Sequence, residues 1–126
     1  MLTPDAILRA VRDRFGISLT EVGTGGGCMA LHARLESGHW IVATDEGLCG
    51  FAERCAFEAL STWGHPGRED PDYAGMGWSV GIYDDHGEDM WFGAEDSLVN
   101  VIDYDMYAAD LPDMVGRALA LLVTTR

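Results

Sequence analysis

The chain has 126 residues, of which 48% are hydrophobic and 23% are charged, and its formal net charge is -13. This length suits one compact domain, residues 1–126, and the hydrophobic content excludes a disordered acidic chain. A sequence pI near 4.3 excludes binding of nucleic acid or of an anionic membrane through a basic face. All eight basic residues are arginine, which excludes mechanisms that need a lysine, such as a Walker-type phosphate loop.

The first predicted element is a helix from Pro4 to about Phe15. Thr3 suits the N-cap position, Pro4 the first helical position, and Gly16 the C-terminal stop. The helix has one apolar stripe, which consists of Ile7, Leu8, Val11 and Phe15. The N-terminus has no cationic start followed by an apolar run, and no segment approaches the roughly 20 apolar residues of a membrane span. We therefore expect a cytoplasmic protein without a membrane partner.

Residues 17–45 predict a three-stranded antiparallel meander. Residues 17–22 alternate loosely, residues 28–35 alternate cleanly between apolar and mixed positions, and residues 39–44 return as a mostly apolar strand. The first connection is a glycine-rich run that predicts a flexible or bulged turn, Gly23-Thr24-Gly25-Gly26-Gly27. The second connection is the turn Glu36-Ser37-Gly38.

The middle of the chain has weaker signals. Residues 48–63 predict a short helix, and residues 64–72 form a turn-rich segment that is long for a simple connection and suits a binding loop. Residues 77–104 predict a β-hairpin with an acidic tip at residues 84–89, from which residues 90–92 return, followed by a strand at residues 98–104.

The last predicted element is a helix that opens at Asp110 with Pro112 in its first turn. Its apolar stripe consists of Leu111, Met114, Val115, Ala118, Leu119 and Leu122. The order of the elements predicts an α+β fold: one domain with a twisted antiparallel sheet of about five or six strands and the N- and C-terminal helices packed on one face.

No motif identifies a cofactor, a metal or a catalytic site, and we expect none of the three. The glycine run leads into a strand and has no lysine, so a phosphate cradle is disfavoured. Cys28, Cys49 and Cys55 lack the tight spacings of zinc ligands, and the turn at residues 84–89 lacks the calcium-loop pattern. Carboxylates are so abundant that no single pair stands out as a catalytic acid and base.

An acidic surface with aromatic residues, centred on residues 84–113, is the remaining functional signal, and residues 69–113 contain no Lys or Arg. Aromatic anchors ringed by charge are typical of interfaces with a basic protein. The predicted partner-binding residues are Asp84, Asp85, Glu88, Asp89, Trp91, Glu95, Asp96, Asp103 and Asp105. On a strand, carboxylates at Asp103 and Asp105 lie about 6.7 Å apart, a spacing that imitates successive phosphates.

In size, acidity and lack of a catalytic motif the chain resembles small inhibitor proteins of bacteriophages and mobile elements, such as anti-CRISPR and DNA-mimic proteins, and toxin-immunity proteins. The resemblance implies a non-enzymatic inhibitor that occupies a basic site on a nuclease or another nucleic-acid-binding protein, without itself binding nucleic acid. A homodimer, and acids that serve only solubility, are left open. The alternative hypothesis is a small-ligand or metal-binding domain that uses the glycine run with His32, His39 and His65.

Overall fold

The computed structural model describes residues 3–25, 28–45, 51–52, 55, 78–84, 97–102 and 107–124. Its helices are α1 (Pro4–Phe15) and α2 (Leu111–Thr124), and a 3-10 turn, Ala108–Asp110, leads into α2. Its strands are β1 (Thr20–Gly25), β2 (Cys28–Arg34), β3 (Trp40–Asp45), β4 (Trp78–Tyr83) and β5 (Val99–Ile102). None of the helices in the described part of the chain is long and apolar enough to cross a membrane.

The five strands form one antiparallel sheet in the order β1-β2-β3-β4-β5, so each strand pairs with its neighbours in sequence. Helices α1 and α2 pack together on one face of this sheet. The α+β class, the antiparallel sheet and the shared face of the two helices are therefore confirmed.

Helix α1 begins and ends where its sequence predicts. The hydroxyl of Thr3 accepts a hydrogen bond from the backbone N–H of Ala6 at 3.2 Å. Gly16 has a left-handed φ of 71°, and its N–H donates to the carbonyl of Arg12 at 2.8 Å. Capping at both ends satisfies backbone groups that the helix itself leaves unpaired, so the bounds of α1 are fixed locally.

The predicted meander of β1, β2 and β3 is confirmed, but its first strand, predicted at residues 17–22, is observed at Thr20–Gly25. Gly23 pairs with Met29 and Gly25 pairs with Cys28, so β1 continues through Gly25, and the pairing register shifts between the two glycines. A β-bulge thus replaces part of the predicted connector. At the β2–β3 turn, Gly38 has a φ of 92°, as a three-residue hairpin loop with a glycine requires.

Strand β4 has a different hairpin partner from the predicted one. Ile82 pairs with Ile41 on one side and with Val99 on the other, and this double pairing runs along the strand from Ser79. Both edges of β4 are therefore taken by β3 and β5. Residues 90–92, which were predicted to be its return strand, lie outside the described residues. Pairing with β5 places Val99 and Val101 on the face that α2 covers, where both are buried.

The main core lies between the two helices and the inner face of the sheet. Its fully buried side chains include Leu31, Ile41, Val80 and Ile82 from the strands and Met114 from α2. Residues on each strand alternate between this face and the outer face, as the pleat of a β-strand requires. Phe51, Ala52 and Cys55 are helical, and Phe51 joins the core; the rest of the helix predicted at residues 48–63, and the predicted loop at residues 64–72, lie outside the described residues.

Candidate functional site

The negative charge is concentrated in one part of the sequence. Residues 45–105 contain fifteen of the Asp and Glu residues and two arginines, whereas the remaining residues contain six acids and six arginines. The formal net charge of -13 therefore comes entirely from residues 45–105. This segment includes β4, β5 and the connections on either side of them.

Several charged side chains of the helical layer have partners within the fold. Arg14 Nη1 lies 2.7 Å from Asp113 Oδ1 and joins α1 to α2, and Arg12 lies 3.9 Å from Asp13. The carboxylate of Asp110 accepts a hydrogen bond from the backbone N–H of Tyr107 at 2.9 Å, which caps the entry to α2. Asp110 and Asp113, which belong to the predicted acidic surface, thus have partners within the fold.

Asp84 is the predicted partner-binding residue that the structure describes. Its side chain is 73% exposed, and its Oδ1 lies 3.8 Å from Nε2 of His39. Nδ1 of His39 is in turn 2.7 Å from the hydroxyl of Ser37 in the β2–β3 turn. The other predicted residues lie outside the described part of the chain: Asp85, Glu88, Asp89, Trp91, Glu95, Asp96, Asp103 and Asp105.

The strand ends that lead into these acids lie at opposite ends of the sheet. Tyr83, the last residue of β4, pairs with Trp40, whereas Ile102, the last residue of β5, pairs with Ser79 near the other end of β4. The chain therefore enters the acidic residues 84–96 at one end of the sheet and residues 103–105 at the opposite end. The four residue steps from Tyr83 to Ser79 separate these two exits by about 13 Å of backbone.

The outer face of the sheet has an aromatic and cationic cluster at β2 and β3. The rings of His32 and Trp40 are stacked, with centroids 5.1 Å apart and planes at 9°, and the guanidinium carbon of Arg34 lies 5.9 Å from the Trp40 centroid. Burial lowers the pKa of His32 below its usual 6.5, because a partly buried imidazole loses hydration when it is charged. Nδ1 of His32 is buried without a hydrogen-bond partner in the structure.

Tyr83 covers a glycine on the same outer face. A Cβ atom on Gly81 would lie 3.0 Å from Cε1 of Tyr83, so the ring occupies the space that the missing side chain leaves. Tyr83 is buried and packs with Ala30 and Val42 in a small second cluster. This packing depends on the register between β3 and β4, which no local sequence pattern specifies.

The residues of the predicted small-ligand site do not form one group. Gly25 lies opposite Cys28 at the start of β2, while His39 is joined to Leu35 just beyond its end by a hydrogen bond of 2.7 Å. The strand rise places these two positions about 23 Å apart. His65 lies outside the described residues, and within those residues no group of three His, Cys, Asp or Glu side chains is placed to hold a metal ion.

A cavity of about 510 Å³ lies where the ends of α1 and α2 meet the β2–β3 turn. Its apolar walls include Phe15, Ile17, Leu35, Leu119 and Leu122, and Ser37 and Glu36 stand on the side of the turn. The sequence predicted each wall residue as part of a helix or strand. The cavity itself was not predicted, because it arises from the way three separate elements meet.

No protein-family model, curated protein or solved structure matches the chain.

Proposed function

We propose that the protein is a non-enzymatic interaction module whose acidic segment, residues 45–105, occupies a basic surface on a partner protein. The observation that carries this proposal is the division of charge along the sequence: the formal net charge of -13 comes entirely from residues 45–105, while Asp13 and Asp113 in the helices lie beside arginines. An excess of negative charge attracts a partner of opposite sign.

A basic surface that normally binds nucleic acid is the partner with the best chemical match. Such surfaces hold rows of Lys and Arg against phosphates, and a run of carboxylates competes for the same cations. Occupation of that surface inhibits a nuclease or another nucleic-acid-binding protein. The proposed role is therefore that of an inhibitor.

The experiment that tests this proposal is capture of partners from the native host at low and at high salt, followed by association kinetics with the purified partner. Asp84, Asp85, Glu88 and Asp89 are changed together to Asn or Gln. We expect association to slow roughly tenfold at low salt and much less at high salt, because screening removes long-range attraction.

A matched control changes four exposed acids outside the acidic segment to the same amides: Asp5, Asp13, Glu21 and Glu36. Both variants lose the same charge, so a general effect of net charge slows association equally in the two. If only the first variant is slower, residues 84–89 contribute to the binding surface. Equal rates for both variants and the parent protein would show that the acids serve only solubility.

The cavity between α1, α2 and the β2–β3 turn favours a second candidate, the binding of a small apolar ligand. Its volume of about 510 Å³ falls within the range of ligand sites, and its walls are mainly aliphatic and aromatic. The test is titration with an apolar fluorescent dye. Leu119→Trp, which fills the cavity, should abolish dye binding, and dye binding that persists in this variant would exclude the cavity.

A further inference from the structure

The two edge strands of the sheet differ in how they are protected from pairing with another chain. Strand β1 has the charged Glu21, an exposed Gly23 and a register shift, all of which discourage a further strand. Strand β5, Val-Asn-Val-Ile, has no charge and no proline, and its pairing with β4 has a regular register. Among the described strands, β5 pairs on one side only.

Apolar side chains are exposed on the outer face of the sheet at β5 and just before it. Ile102 is 54% exposed and Leu98, just before β5, is 44% exposed. Leu98, Asn100 and Ile102 alternate with the buried Val99 and Val101, so they share the face away from the helices. A strand that pairs with β5 would place every second one of its own side chains beside Leu98, Asn100 and Ile102.

The charge of the surrounding sequence selects the kind of strand that fits. From Asp84 to Asp105, the sequence that contains β5 has eight carboxylates and no Lys or Arg. A second copy of this chain brings the same negative charge to the edge and is repelled. An extended segment with apolar residues at every second position and arginine or lysine between them matches both the apolar row and the charge.

We propose that β5 is a docking edge, to which a basic, extended segment of the partner adds as a sixth strand. This inference rests on the proposed function, and it specifies how the basic partner binds. Backbone hydrogen bonds to β5 supply register, contacts with Leu98 and Ile102 supply apolar burial, and the flanking carboxylates supply attraction at long range.

The probe that tests this inference is a short capped peptide in which arginine and valine alternate. Its control has the same sequence with every internal amide nitrogen methylated, which keeps the charge and removes the hydrogen-bond donors of a strand. We expect the unmodified peptide to bind at least roughly tenfold more tightly than the control and to slow hydrogen exchange at Val99–Ile102.

Two variants separate strand addition from general attraction. Ile102→Glu and Val123→Glu each add one negative charge at an exposed apolar position, the first on β5 and the second on α2, where Val123 is 74% exposed. Attraction alone makes both variants bind the basic peptide more tightly. Docking on β5 makes Ile102→Glu weaker, roughly fivefold, because apolar contact is lost, and leaves Val123→Glu no weaker than the parent protein.

The outcomes distinguish this inference from the function on which it rests. If both peptides bind equally and salt releases both, recognition of a basic partner stands and strand addition is overturned. If neither peptide binds at low salt, both proposals fail. If the free protein instead forms a dimer that Ile102→Glu separates and Val123→Glu does not, the edge pairs with a second copy, and the basic segment is the wrong occupant.

Discussion

The two faces of the sheet differ in how many apolar residues they bury. Among the described residues, the inner face and the helices share one cluster of eighteen buried apolar residues. The buried cluster of the outer face has three, Ala30, Val42 and Tyr83, beside the stacked rings of His32 and Trp40. The inner face has the composition of a core that determines stability. The packing of the outer face depends on a few specific contacts.

Neighbouring residues on β3 test this comparison most strongly, because Ile41 points to the inner face and Val42 to the outer face, both almost fully buried. Ile41→Ala should lower the free energy of unfolding by about 2–5 kcal/mol, since it leaves a cavity in a large close-packed cluster. Val42→Ala should lower the free energy of unfolding by about half as much. Urea unfolding of both variants gives the values, and equal losses would contradict the difference between the faces.

A second prediction concerns the packing of the Tyr83 ring over Gly81 on the outer face. In Gly81→Ala the new methyl group meets the Tyr83 ring at 3.0 Å, so the ring must move, and we expect a loss of about 1–3 kcal/mol. Gly23→Ala is the matched control, since its Cβ would lie 4.0 Å from the nearest atom, the sulfur of Met29. Thermal unfolding compares the two. A loss in the control as large as in Gly81→Ala would point to a general intolerance of strands to this change.

The contact between α1 and α2 also includes an ion pair, which we expect to contribute little to the free energy of unfolding. The pair of Arg14 and Asp113 has a short distance of 2.7 Å, but both side chains are more than half exposed. A double-mutant cycle with Arg14→Gln and Asp113→Asn should give a coupling free energy of about 0.2–1 kcal/mol that decreases in high salt. A coupling well above this range would assign the pair a larger part in holding α1 to α2.

The smallest expected effect is a pH dependence from His32. Because burial lowers its pKa in the folded state, the unfolded state binds a proton more readily. Its contribution to stability is therefore complete above the unfolded pKa of about 6.5 and declines as the pH falls below that value. His32→Gln should show a shallower fall of melting temperature between pH 7.5 and 5 than the parent protein. If the melting temperatures of the two proteins fall equally with pH, the pH dependence does not come from His32.

Local signals allowed much of the fold to be predicted from the sequence. The bounds of α1 follow from Thr3, Pro4 and Gly16, which act within one helical turn. The alternation of residues 28–35 fixes which side of β2 is buried, because a one-residue shift would expose every apolar side chain. These features depend on neighbours in the sequence, and the structure confirms them.

The partner of β4 could not be predicted in the same way. The acidic, glycine-containing residues 84–89 have the composition of a tight turn, which led to residues 90–92 as the return strand. The observed pairing with β5 buries Val99 and Val101 under α2, a long-range contact that no local pattern encodes. For the same reason the stack of His32 on Trp40, and the cavity beside Leu119, emerge only once the strands and helices are in place.

The contact between α1 and α2 also affects how the protein folds as it is synthesised. Strands β1 to β5 pair with their neighbours in sequence, so each pairing becomes possible once the later strand of the pair has left the ribosome. Helix α1, by contrast, packs against residues that are made almost a whole chain later, since Arg14 and Asp113 are 99 positions apart. Until α2 has emerged, the apolar stripe of α1 and the inner face of the sheet lack their cover, and this interval is when the nascent chain most needs protection from aggregation.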